Sequence, residues 1–136
     1  MIDNAVVNGG VYYVKDAVIS LPPNDARIYH EERRPVVVLS GPDTNSDRAW
    51  RMVLAAPISS STSLKTSHCV RLSAGEGGLT KKCWVRVVAV QPLLKSDLQD
   101  RLGVLPSARL EEIQARLFQY LGLIIDDPED PIGSIA

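Results

Sequence analysis

Apolar residues in this chain come in short runs, such as PVVVLS and CWVRVVAV, and that brevity decides most of what the chain can fold into. None approaches the roughly eighteen residues that a membrane-crossing helix needs. The runs are rich in valine and bounded by glycine, proline, serine and aspartate, which reads as strand and turn. Strands are expected over 11–17, 35–40, 51–56, 67–72 and 83–90. The last two flank AGEGGLTKK, whose glycines supply the positive φ of a tight reversal. GPDTNSD turns the chain between the second and third, and the polar, proline-bearing stretch 21–34 is a long loop.

Helical signals are few. Ser96-Asp97-Leu98-Gln99 has the form of a capping box, with Gly103 placed to end a short helix. Over 107–121, Leu110, Ile113, Leu117 and Leu121 recur at spacings of three and four, and Gly122 suits the C′ position. Five strands, a short helix and a C-terminal helix predict a mostly β fold with α, a small barrel. It is expected to fill residues 1–125 as one domain, followed by an acidic, disordered tail over 126–136.

At 136 residues and 45% hydrophobic content the chain can bury a full core, and with 5% aromatics that core must be aliphatic. Net charge is −1, but Asp126, Asp127, Glu129 and Asp130 crowd the C-terminal end. Setting those four aside leaves 12 of the 16 acids against 15 bases, a mildly basic body. Lys65, Arg71, Lys81, Lys82 and Arg86 concentrate there, as a solvated face or as a surface for polyanions. MIDNAVVNGG carries no signal-peptide pattern, so a soluble cytoplasmic protein without membrane contact is expected.

The candidate chemistry is narrow. Cys69 and Cys83 straddle the hairpin turn as cross-strand neighbours, but with His68 alone they make a poor metal set, and reduced thiols are expected. GEGGLTKK lacks phosphate-loop spacing and a following helix. Arg34 is more informative, because Pro35 holds its backbone extended and aims a permanent cation at a strand entrance. There it either grips a phosphate or pairs with Glu31 or Glu32. The serines of ISSS lie at a strand exit without a nucleophile-elbow pattern, so they donate hydrogen bonds or satisfy a turn. His30, in the long loop, can move a proton near neutral pH.

Taken in order, G-G-V-Y-Y-V, R-P-V-V-V-L-S-G, A-A-P-I-S-S and D-x-x-x-R-L-G-V-L before a helix ending Y-L-G-L resemble the MazF/PemK (Kid) toxin family over residues 9–123. The resemblance implies an SH3-like barrel of the CcdB/PemK kind, a homodimer and a cognate antitoxin. It also implies cofactor-free, metal-independent cleavage of single-stranded RNA at short sequences. Arg34 then matches the family's catalytic arginine, and Ser59 stands where members commonly have threonine. His30 is the proposed general base or acid. Candidate RNA contacts are Arg27, Arg33, Ser60, Lys65, Lys81, Lys82 and Gln91, with the loop 18–33 facing RNA and antitoxin. Relatives often read Q-x-R-T-x-D where this chain has Q-P-L-L-K-S-D; Gln91 fits, Leu93 stands in the arginine's place, and Lys95 and Asp97 are only rough substitutes. The opening G-D-[VI] is Gly9-Gly10-Val11. Alternatives on the same barrel are a CcdB-like, non-catalytic topoisomerase poison and an inactive RNA-binding relative.

Overall fold

The computed structural model describes residues 6–22, 32–61 and 66–123. Arg27, His30, Glu31, Lys65 and the acidic tail lie outside these residues.

Seven strands form one curled sheet, a half-barrel: β1 (Gly10–Lys15), β2 (Arg33–Val38), β3 (Met52–Ser59), β4 (Val70–Leu72), β5 (Cys83–Val85), β6 (Gln91–Leu94) and β7 (Arg101–Val104). Their order is β4-β5-β3-β2-β1-β7, with β6 paired to β3 off that path. A short α1 (Pro42–Ser46) lies between β2 and β3, and α2 (Ser107–Tyr120) ends the fold. The described residues are mostly β with α, as expected, but with seven strands in place of five, and their short helix is α1, within the GPDTNSD stretch read as a turn.

Successive strand residues point to opposite faces, and the valine runs use both. Val11, Val37, Ala56 and Ile58 enter one core with Val70, Leu72, Val85 and Ile113 of α2. Tyr12, Val14, Val36, Val38, Val53 and Ala55 enter a second with Ile19, Leu21, Leu93 and Leu98. β1, β2 and the second half of β3 are thus buried on both sides, which explains their unbroken apolar stretches, whereas Met52 and Leu54 at the start of β3 are exposed.

Two expected elements came out differently. The 83–90 strand is interrupted by a 3₁₀ turn at Val87–Ala89, because the edge of β3 changes partner: Ile58 pairs with Val85 on β5, while Ala55 pairs with Gln91 on β6. The capping-box segment forms only a 3₁₀ turn, Lys95–Asp97, without a side-chain cap. The open edge of β1 captures the residues just after it, through Gln99 N–H to the Tyr13 carbonyl (2.8 Å) and Tyr13 N–H to the Asp100 carbonyl (3.2 Å). Leu98 is buried in the second core at the same place. Burial and ladder bonds outweigh the local capping preference.

Gly103 therefore lies in β7 rather than ending a helix, and its hydrogen faces the turn at Glu76–Gly78. A Cβ there would stand 2.8 Å from the Gly77 carbonyl carbon, and one on Gly78, at φ +80°, would strike the Leu102 carbonyl oxygen. This backbone contact brings the turn after β4 against β7. Arg109 of α2 reinforces it with an ion pair to Glu76 at 3.0 Å. α2 ends in a Schellman motif, Gly122 N–H to the Gln119 carbonyl and Leu123 N–H to the Phe118 carbonyl. Ile113 is fully buried and Leu117 partly so, but Leu121 is 58% exposed, so the apolar stripe leaves the core at its last turn.

Candidate active site

Arg34 sits near the start of β2, opposite Val14 of β1. The β2–β3 ladder ends with Val36 paired to Pro57; Arg34 and Ser59 each lie two residues beyond it, and both line one cleft. The two residues thus share one face of adjacent strands, although 24 positions separate Arg34 from the neighbouring Ile58 in sequence.

Among the described residues the partner of Arg34 is Asp16, just beyond β1, rather than Glu32. Arg34 Nε donates to Asp16 Oδ1 at 2.6 Å, with side-chain exposures of 13% and 1%. Nη1 makes a long contact, 3.5 Å, to the Ile58 carbonyl, and Nη2 has no hydrogen-bond partner among the described residues. Asp16 thereby holds the inner edge of the guanidinium and leaves an outer edge toward a cleft of about 360 Å³. Tyr13, Arg33, Arg34, Ser59, Ser60, Ser61, Leu79 and Lys81 are among its walls. A carboxylate that fixes a guanidinium at a cleft wall prepares it for bidentate anion binding, since less freedom is lost when the anion arrives.

The hydroxyl row is partly committed to local structure. Ser59 Oγ accepts from Ser61 N–H at 3.1 Å, a serine turn at the end of β3. Ser60 is exposed on the cleft wall. Arg33 lies over the Tyr13 ring at 3.9 Å and pairs with Asp100 at 3.0 Å rather than with Glu32 beside it. Lys81 and Lys82 are exposed, Lys81 on the cleft and Lys82 5.5 Å from the Trp84 ring.

Gln91 is engaged within the protein. Its Oε1 accepts from Ser20 N–H (3.0 Å), while Nε2 donates to the carbonyls of Ser20 (2.8 Å) and Ala89 (2.9 Å). It clamps the start of the β1–β2 connection rather than facing the cleft. Buried Arg86 acts nearby, donating from Nη2 to the Pro22 carbonyl at 2.7 Å, so one of the counted bases is not on the basic face. Leu93 packs in the second core, and Lys95 Nζ is spent on the carbonyls of Thr44 and Asp47. Neither provides a cation where the Q-x-R-T-x-D pattern has one.

Cys83 pairs in register with Leu72, so Cys69 is not directly across from it, and both thiols are free. Burial pushes the Cys83 thiol up, only partly opposed by Lys81, and so favours the protonated thiol. His68 stacks edge-on against Tyr120, and among the described residues no three metal-ligating side chains gather. Sequence reasoning missed Asp16 and Tyr13, and it counted Arg86, a buried clamp on the Pro22 carbonyl, among the surface bases. Only the strand register could have found Asp16, two residues beyond the Val14 that lies across from Arg34.

Known proteins resemble the chain in sequence and in fold. The profile described as "PemK-like, MazF-like toxin of type II toxin-antitoxin system" matches residues 17–121. The protein named Endoribonuclease MazF6 of Mycobacterium tuberculosis is 36% identical over 93 residues, 68% of this chain and 81% of that one. Endoribonuclease MazF2 of Mycobacterium bovis matches to the same extent. Among solved structures, MazE-MazF from Deinococcus radiodurans superposes with a TM-score of 0.67 at 20% identity, covering 90% of this chain and 100% of that one. A mycobacterial endoribonuclease in complex with its cognate antitoxin gives 0.63 at 23%, covering 89% and 97%. No described helix is long and apolar enough to cross a membrane. From the profile match and the mycobacterial relatives together, the chain belongs to the PemK-like, MazF-like toxin family of type II toxin–antitoxin systems, whose relatives here are endoribonucleases.

Proposed function

We propose that the chain is the toxin of a type II pair and cleaves single-stranded RNA at short sequences without a metal. The observation that carries this reading is Arg34, held by Asp16 at a cleft wall with an unengaged guanidinium edge and with Ser59 across from it. RNA brings its own nucleophile. The 2′ oxygen loses its proton, bonds to the adjacent phosphorus and expels the 5′ oxygen, which takes up a proton, leaving a cyclic phosphate. The protein must therefore neutralise the phosphorane and move two protons. Arg34 binds the scissile phosphate and stabilises its added charge, and the Ser59 hydroxyl donates to the same group. His30 is assigned one of the proton transfers. Arg27, Arg33, Ser60, Lys65, Lys81 and Lys82 supply the surrounding RNA contacts.

The toxin acts as a cytoplasmic homodimer restrained by a cognate antitoxin. A solved structure of the same fold that holds an endoribonuclease with its antitoxin supports the last point. A non-catalytic, protein-binding reading draws on one specific observation, the buried Leu93 where relatives place an arginine.

Incubation of the purified protein with mixed RNA in EDTA separates the two. Defined cut ends are expected, and a single deoxyribose immediately 5′ of the scissile phosphate should block cutting there. Normal cutting of that oligonucleotide overturns the cyclising step; no cutting of any RNA favours the protein-binding reading.

A further inference from the structure

Beyond the phosphate site, the strand registers align a second set of side chains. Ser59 of β3 pairs with Trp84 of β5, and Trp84 pairs in turn with Arg71 of β4. Together with the Arg34–Ser59 step, this makes one row on one face of the sheet: Arg34, Ser59, Trp84, Arg71. Neighbouring strands stand about 4.8 Å apart, so the row spans on the order of 14 Å. In β5 the flanking Cys83 and Val85 point the other way and are buried, while Trp84 is partly exposed.

The chain has only two tryptophans and 5% aromatics, so an indole on a partly exposed strand face places a scarce side chain there. What distinguishes the site is its company. Exposed Arg71 is the cross-strand neighbour, and Lys82 lies 5.5 Å from the ring centroid. A flat π surface flanked by cations, one strand from a phosphate-binding hydroxyl, is the combination that holds an unpaired nucleobase by stacking and its backbone by charge.

We propose that Trp84 is a base-stacking platform for the nucleotide flanking the scissile phosphate, with Arg71 and Lys82 taking the neighbouring phosphates. The proposal rests on the endoribonuclease reading and deepens it. Because every base has a π face, the platform positions the strand over Arg34 without demanding one particular base.

The test uses the full chain with Trp50→Phe, which leaves Trp84 as the only indole. An oligonucleotide shown to be cut is resynthesised with 2′-O-methyl riboses and titrated while tryptophan fluorescence is read. Quenching is expected. Trp84→Ala should weaken binding roughly ten- to hundred-fold, and Trp84→Phe far less. An abasic residue at the flanking position should remove the difference between Trp84→Ala and the parent. Trp84→Leu, checked by its thermal unfolding, guards against a misfolded alanine variant and should bind as weakly as Trp84→Ala. If the 2′-O-methyl oligonucleotide binds without quenching while its unmodified form is cut, and Trp84→Leu binds it as well as the parent, the platform is wrong while the nuclease stands. If the parent protein neither binds nor cuts any RNA, both readings fall.

Discussion

Arg33 and Arg34 are adjacent in the chain, begin the same strand and each form a short ion pair, yet they inhabit different physical settings. Arg33 reaches Asp100 at 3.0 Å with side-chain exposures of 35% and 83%. Arg34 reaches Asp16 at 2.6 Å with exposures of 13% and 1%. In the first pair water screens both charges and can replace either partner. In the second, the carboxylate is buried, so losing the guanidinium costs more than in the exposed pair. The Arg109–Glu76 pair lies between them, at 3.0 Å with exposures of 32% and 23%. Bond length does not separate the two pairs at 3.0 Å, whereas burial of the carboxylate separates all three.

The sharpest way to break this comparison is Arg34→Ala. It should destabilise the fold by up to about 3–5 kcal/mol, because a buried carboxylate loses its short guanidinium bond. It should also lower RNA cleavage by about 10²–10³ where the protein remains folded. Urea unfolding and single-turnover cutting measure the two effects separately. Combining Arg34→Ala with Asp16→Asn should return much of the stability and none of the cleavage. An unchanged unfolding midpoint for the single variant would sink the burial argument.

The intermediate pair tests the comparison by pH. Ser73 N–H, then Arg109, holds the Glu76 carboxyl below its ordinary value, with burial opposing them. A depressed carboxylate contributes stability that is fully present above its unfolded value, about pH 4.3, and is lost as pH falls through the lowered one. Glu76→Gln should therefore reduce stability at neutral pH and flatten the acid dependence of the urea midpoint below that value. A parallel acid profile in parent and variant would remove Glu76 from the linkage.

The smallest effect belongs to Arg33→Ala. Its pair is exposed and its stacking on Tyr13 is modest, so the loss should stay within about 1 kcal/mol and shrink further in high salt. A loss comparable to that of Arg34→Ala would overturn the ranking.

Legibility followed the range of the interactions. The AGEGGLTKK reversal was readable because positive φ is a local property of glycine, and Gly75, Gly77 and Gly78 adopt it. The helix over 107–121 was readable from its period, apart from its last leucine. The helix expected at Ser96 failed because the open edge of β1, more than 80 positions earlier, took the backbone bonds of that segment. Gln91 was read as an RNA contact on a motif, but its amide closes on Ser20, 71 residues away. The aim of Arg34 was legible from Pro35; its partner was not, since nothing local distinguishes Asp16 from the glutamates beside it.

By itself, then, the sequence determined the strand-rich class, the tight turns, the terminal helix and the arginine before the strand proline, all features set by neighbours a few residues apart. Tertiary structure alone decided which carboxylate holds Arg34, which strand captures residues 99–100, and that Arg34, Ser59, Trp84 and Arg71 share one row. Those outcomes depend on strand register, and register is chosen by which apolar side chains two distant segments can bury together.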